Sequence, residues 1–159
     1  MKIVIASINF APGHVAHLRA YYHLCVACGY ETILYLDKEY KKYININEYV
    51  TVTDLKTVVS INPDVVLLYN VASKAMKFVR FCKSKGWKFI YVWHEPYSGW
   101  RQLVKEGSYI PQFVGACCVS FYICHQSDNV FLASDYAMNI CRKYAPSVYE
   151  KSSKFPLVF

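Results

Sequence analysis

The run KIVIASI, Lys2 to Ile8, is rich in β-branched side chains and has no polar alternation. A run of that kind reads as a strand buried on both faces, which requires a sheet covered on both sides. A loop follows at Asn9, Phe10, Ala11, Pro12 and Gly13. A helical segment then extends from about His14 to Cys28, with Val15, Leu18, Tyr22, Cys25 and Val26 recurring at three and four and Gly29 as its stop. Thr32 to Leu36 reads as a second strand, which completes a βαβ unit.

The same alternation continues down the chain. Asp54 to Ser60 reads as a short helix, Asn62-Pro63 as a turn and Asp64 to Tyr69 (DVVLLY) as a third buried strand. Ala72 to Lys85 is amphipathic, with Val71, Ala75, Phe78, Val79 and Cys82 on one face and Gly86 at its end. Lys88 to Trp93 and Asn129 to Ala133 read as further strands, Asp135 to Tyr144 as a helix, and Pro156 to Phe159 as the start of a sixth strand. Apolar strands alternating with helices predict an α/β, Rossmann-like parallel sheet with helices on both faces. The length of 159 residues is that of one domain.

Composition narrows the class. The chain is 55% hydrophobic and only 18% charged, which excludes disorder. Its formal net charge of +7 points to anionic partners: nucleic acid, a membrane face or phosphorylated small molecules. No nucleic-acid-binding module appears, so nucleic acid is not expected. No stretch is long and pure enough for a membrane span, and the start of the chain lacks the pattern of a signal peptide. Seven cysteines, an odd number, predict a reduced, cytoplasmic chain. Cys25 and Cys28 form a CxxC inside an apolar helical run without a second ligand pair, and Cys117, Cys118 and Cys124 lack spaced histidines. No metal site is expected from them.

A parallel sheet of this class binds ligands beyond the carboxyl ends of its strands. The residues to weigh are therefore Gly13 and His14 after the first strand, Asn70 after the third, His94, Glu95, Tyr97, Ser98 and Gly99 after the fourth, and Ser134 with Asp135 after the fifth. Pro12-Gly13 opens a helix whose N-terminus can present backbone N–H groups to a phosphate or sugar oxygen. His94 can orient a hydroxyl or act as a base near neutral pH. Neither GxGxxG nor a Walker A loop is present, so no dinucleotide cofactor is expected. Lys74, Lys77, Arg80 and Lys83 lie in a basic run without an acid between Asp64 and Glu95. Such a run is either a solvated face or a contact with anionic lipid. The aromatic stretch from Ser98 to His125 reads either as a core helix or as a segment lying in a bilayer interface.

In order and spacing, MKIVIASINFAPGH, NPDVVLLYN, FIYVWHEPYSG, SDNVFLASDYAMNICRKYAP and KFPLVF resemble the amino-terminal half of GT-B glycosyltransferases, particularly retaining family four. The resemblance covers essentially the whole chain. It implies an acceptor-side domain over residues 1–159, with the donor-binding carboxy-terminal half lying outside this chain. It implies an enzyme that transfers a hexose from a nucleotide diphosphate sugar to a saccharide or lipid-linked acceptor, as in surface polysaccharide or glycolipid synthesis. The nucleotide sugar is the donor substrate, and no cofactor is implied. By the same resemblance Gly13, His14, His94 and Glu95 line the cleft, with His94 as the catalytic candidate; Ser134 and Asp135 match the segment before the last helix of this half. The expected setting is the cytoplasm or the inner face of a membrane. The alternative is a non-catalytic subunit that binds an acceptor or docks on a membrane and recruits a separate catalytic chain.

Overall fold

The computed structural model describes residues 1–45, 47–69, 73–93 and 110–155. They form a seven-stranded sheet, parallel throughout. The strands are β1 (Lys2–Ser7), β2 (Glu31–Leu36), β3 (Thr51–Val52), β4 (Val65–Leu68), β5 (Lys88–Trp93), β6 (Asn129–Leu132) and β7 (Ser152–Lys154). Their spatial order is β3-β2-β1-β4-β5-β6-β7, so the chain reverses its direction of winding between β1 and β4. The helices are α1 (Val15–Ala27), α2 (Leu55–Ile61), α3 (Ser73–Ser84), α4 (Ile110–Gln126), α5 (Asp135–Tyr144) and α6 (Pro146–Tyr149). This is the Rossmann-like α/β fold that the alternating pattern predicts.

Side-chain alternation along the strands divides the interior into two cores. Val4 and Ala6 of β1, Val66 and Leu68 of β4, and Phe89, Tyr91 and Trp93 of β5 face one way, toward α2 through α6. Ile3, Ile5, Leu34, Val65, Leu67 and Val92 face the other way, toward α1. The stripe that α1 buries consists of Leu18, Tyr21 and Tyr22, with Cys25 half-buried. Val26, expected on that stripe, is 47% exposed. At 100° per residue it falls to the side of a stripe through 18, 21, 22 and 25. On α3, Ala75, Phe78, Val79 and Cys82 are all buried as the periodicity predicts.

Both aspartates that precede a strand tie the amino-terminal edge of the sheet. Asp64 Oδ2 accepts from Lys2 N at 2.7 Å, and Asp128 Oδ2 accepts from Phe89 N at 2.7 Å. Asn62 ends α2 in the left-handed region, at φ 49°, and its Oδ1 accepts from the Trp87 indole N–H at 3.0 Å. β3 and β7 are edge strands that the hydropathy pattern does not reveal. The predicted strand at Pro156 to Phe159 lies outside the described residues. No helix among the described residues is long and apolar enough to cross a membrane.

Candidate functional site

The reversal between β1 and β4 opens a crevice at the carboxyl edge, the usual binding position in open parallel sheets. What fills the near wall follows from the loop after β1. Ser7, fully buried, shares a 2.9 Å hydrogen bond with the Tyr40 hydroxyl. That hydroxyl also accepts from Ala11 N at 3.1 Å, and the Phe10 ring meets Tyr40 edge-on at 4.9 Å and stacks on Tyr43 at 5.2 Å. One buried phenol therefore fixes the loop at both ends. The chain then makes a single 3-10 turn, Pro12–His14, and runs directly into α1. A Cβ placed on Gly13 would meet no atom within 4 Å, so the loop backbone at that point borders open space.

His14, His17 and Tyr21 follow at intervals of three and four, which places all three on one face of the turn and α1. They converge on Tyr69, the residue immediately after β4. The His14 ring stands edge-on to Tyr69 at 4.9 Å, the His17 ring lies 5.8 Å away and the Tyr21 ring 5.4 Å away. Tyr69 N donates to Ala6 O at 2.9 Å, which extends the β1–β4 pairing by one residue, and its ring is buried beneath the two histidines. Tyr21 also packs on Phe155 at 5.2 Å, and Phe155 stacks on Phe131 at 4.8 Å, so the aromatic layer continues toward β6 and β7.

Burial makes this cluster polar but uncharged. It lowers the pKa of His14, with the neighbouring His17 adding to the effect, and it lowers the pKa of His17. It pushes Tyr21 up to about 12 and raises Tyr69 further, with Tyr21 and Tyr40 contributing to the latter. At neutral pH the edge therefore presents two neutral, half-buried imidazoles, His14 and His17, backed by the buried Tyr21 and Tyr69 rings. Such groups exchange hydrogen bonds with hydroxyls and carbonyls without presenting a fixed charge. The sequence reading identified His14 but not His17, Tyr21 or Tyr69. The signal was the spacing 14, 17, 21 along α1, with a phenol directly after an apolar strand.

The remaining candidates fall in three groups. Asn70, His94, Glu95, Tyr97, Ser98 and Gly99 lie outside the described residues. Ser134 caps α5, its Oγ accepting from Ala137 N at 3.1 Å, and Asp135 pairs with Lys154 at 2.7 Å. Of the basic run on α3, Arg80 donates from Nε to the Tyr122 hydroxyl at 2.8 Å and lies over that ring, while Lys83 pairs with Asp128 at 2.9 Å. Lys74 and Lys77 instead border an open groove. All seven cysteines are free thiols. Among the described residues no group of three His, Cys, Asp or Glu side chains converges on a metal position.

The sequence matches no family model and no curated protein. Solved structures do match its fold. The UDP-GlcNAc 2-epimerase of Methanocaldococcus jannaschii superposes with a TM-score of 0.65 at 13% identity, covering 97% of this chain and 45% of the epimerase. MnaA of S. aureus, solved with UDP, superposes with a TM-score of 0.66 at 12% identity, covering 96% of this chain and 43% of MnaA. The chain thus spans less than half the length of these structures, and its fold is one half of theirs.

Proposed function

We propose that this chain is the acceptor-side Rossmann-like half of a nucleotide-sugar-processing enzyme, and more narrowly of a glycosyltransferase that moves a hexose from a nucleotide diphosphate sugar to a saccharide or lipid-linked acceptor. The observation that carries the reading is the pair of neutral, half-buried imidazoles His14 and His17 on the carboxyl edge at the β1–β4 crevice, held against the buried Tyr21 and Tyr69 rings. Uncharged donors and acceptors suit sugar hydroxyls, and the open backbone at Gly13 leaves room for a ligand beside the start of α1. The amino-terminal end of α1 adds a positive dipole end toward the crevice, where charge on a departing diphosphate would be stabilised. In this reading His94 supports the transferred sugar or the acceptor, and a second Rossmann-like half supplies the donor-binding groups.

A second reading is favoured by the fold comparison: of the two structures compared above, one is a UDP-GlcNAc 2-epimerase and the other holds UDP. The two chemistries differ in product. Transfer releases a nucleoside diphosphate and glycosylates an acceptor, whereas 2-epimerisation returns a hexose inverted at C2. Incubating the full-length protein with UDP-hexoses, with and without saccharide and lipid-linked acceptors, separates them. Acceptor-dependent nucleotide release supports transfer, and His94→Ala should then lower turnover by about tenfold or more with folding unchanged. An acceptor-independent C2 epimer replaces the narrower reading with epimerisation. Consumption of no nucleotide sugar at all would sink both and favour the non-catalytic subunit.

A further inference from the structure

The carboxyl edge carries a second concavity, on the opposite face of the sheet from the histidine cluster. A groove of ≈ 570 Å³ lies between the end of β2, the start of α2 and the first turns of α3. Its floor is apolar, formed by Ile8, Tyr35, Phe78 and Phe81, with the Tyr35 and Phe78 rings 5.5 Å apart. Its rim carries Lys38, Lys74 and Lys77 and one carboxylate, Asp37.

The charges on this rim are unevenly committed. Asp37 Oδ1 accepts from Glu39 N at 3.0 Å, capping the short turn after β2. Asp54, whose charge also reaches Tyr35, accepts from Thr57 N at 2.8 Å and from Thr57 Oγ1 at 2.7 Å. Both neighbouring carboxylates are therefore occupied as helix caps. Further along α3, Arg80 and Lys83 are engaged by Tyr122 and Asp128. Lys38, Lys74 and Lys77 have no ion-pair partner among the described residues. Lys74 also stands in the first turn of α3, which holds no acid, at the end of the helix where the macrodipole disfavours a cation. A residue that works against its own helix and borders a groove is better explained by what the groove receives.

We propose that this groove binds a phosphate monoester bearing an apolar substituent, with the phosphate held among Lys38, Lys74 and Lys77 and the substituent laid on the Tyr35–Phe78 floor. A dianion answers several ammonium groups at once, and the positive end of α3 adds to their field. A carboxylate would leave more of that charge unanswered, and a nucleobase would leave the lysines without a role. The proposal rests on the nucleotide-sugar reading only for the part the bound molecule plays, as the anchored acceptor. The binding itself is a property of this chain.

The test is an NMR titration of the isotope-labelled protein with hexyl phosphate, inorganic phosphate and hexanol. Hexyl phosphate should bind about tenfold or more tightly than either fragment, shift the amides of Tyr35, Leu55 and Phe78, and weaken as salt rises. The double variant Lys74→Ala/Lys77→Ala should weaken it by at least about tenfold. Arg142→Ala/Lys143→Ala, an equal change of charge on α5, should leave it unaltered. Equal affinity for hexanol overturns the role of charge, and equal affinity for inorganic phosphate overturns the role of the floor. Equal weakening by the two double variants, or shifts confined to other residues, overturns the site. Nucleotide-sugar turnover is read in a separate assay, so failure of either proposal leaves the other measurable.

Discussion

The two faces of the sheet are built from different chemistry. The face toward α2 through α6 is an aliphatic and aromatic core in which Phe89, Leu68, Ile123 and Leu132 are fully buried and make no side-chain hydrogen bond. The face toward α1 is rich in buried phenols, and the hydroxyls of three of them are put to use. Tyr40 binds Ser7 and Ala11, Tyr22 accepts from Val50 N at 3.3 Å, and Tyr49 meets the His23 ring nitrogen at 3.0 Å. Both faces hold the sheet together by exclusion of water, and the α1 face adds directed bonds that hold loops in place. Since loops at the carboxyl edge carry ligand sites, the bonding face is where the site's geometry is set.

The comparison breaks first if packing is not dominant on the α2-to-α6 face. Phe89→Ala, in the centre of that core, should cost about 3–5 kcal/mol in urea denaturation, through lost transfer energy and an unfilled cavity. Tyr40→Phe on the other face should cost less, about 1–3 kcal/mol, because it removes the hydroxyl that the buried Ser7 side chain and the half-buried Ala11 N–H share. Its sharper signature is local: the Ala11 amide should lose hydrogen-exchange protection while amides of β4 and β5 keep theirs. If Tyr40→Phe cost more than Phe89→Ala, the division of labour between the faces would be wrong.

The apolar strands β1, β2, β4, β5 and β6 were legible in the sequence because burial on both faces leaves an unbroken apolar run. β3 and β7 were not, because Thr51-Val52 and Ser152-Ser153-Lys154 are short edge segments with no such run. They are strands by virtue of pairing with β2 and β6. At the site, His14 was legible as a polar residue after a strand. Tyr69 was read as the last residue of its strand, and Tyr21 was hidden among neighbours of equal hydropathy. Their convergence depends on how α1 lies against β1 and β2, which periodicity does not encode.

A smaller effect probes the far end of the carboxyl edge. Ser134 was a ligand candidate from its position after an apolar strand, and its Oγ caps α5. Ser134→Ala should cost about 1 kcal/mol by thermal denaturation, with Ser134→Asp restoring most of it. A loss with Ser134→Ala that Ser134→Asp does not restore would mean that the hydroxyl does something besides capping.

The smallest expected effect is a dependence on pH that only the α1 face should show. Burial lowers the folded-state pKa of His14 and of His17 below the ordinary value of 6.5. In acid the unfolded chain therefore takes up protons on these two rings before the folded chain does. Stability from the pair is present above pH 6.5 and is lost as pH falls from there through the folded-state values. The double variant His14→Gln/His17→Gln should flatten that part of the stability profile, and a charge-neutral change on the other face, such as Val58→Ala, should displace the profile without changing its slope. Both rings are partly open to solvent, so the change in slope should be shallow. An unchanged slope in the double variant would mean that the imidazoles are hydrated as in the unfolded chain. The neutral wall proposed for sugar hydroxyls would then lose its physical basis.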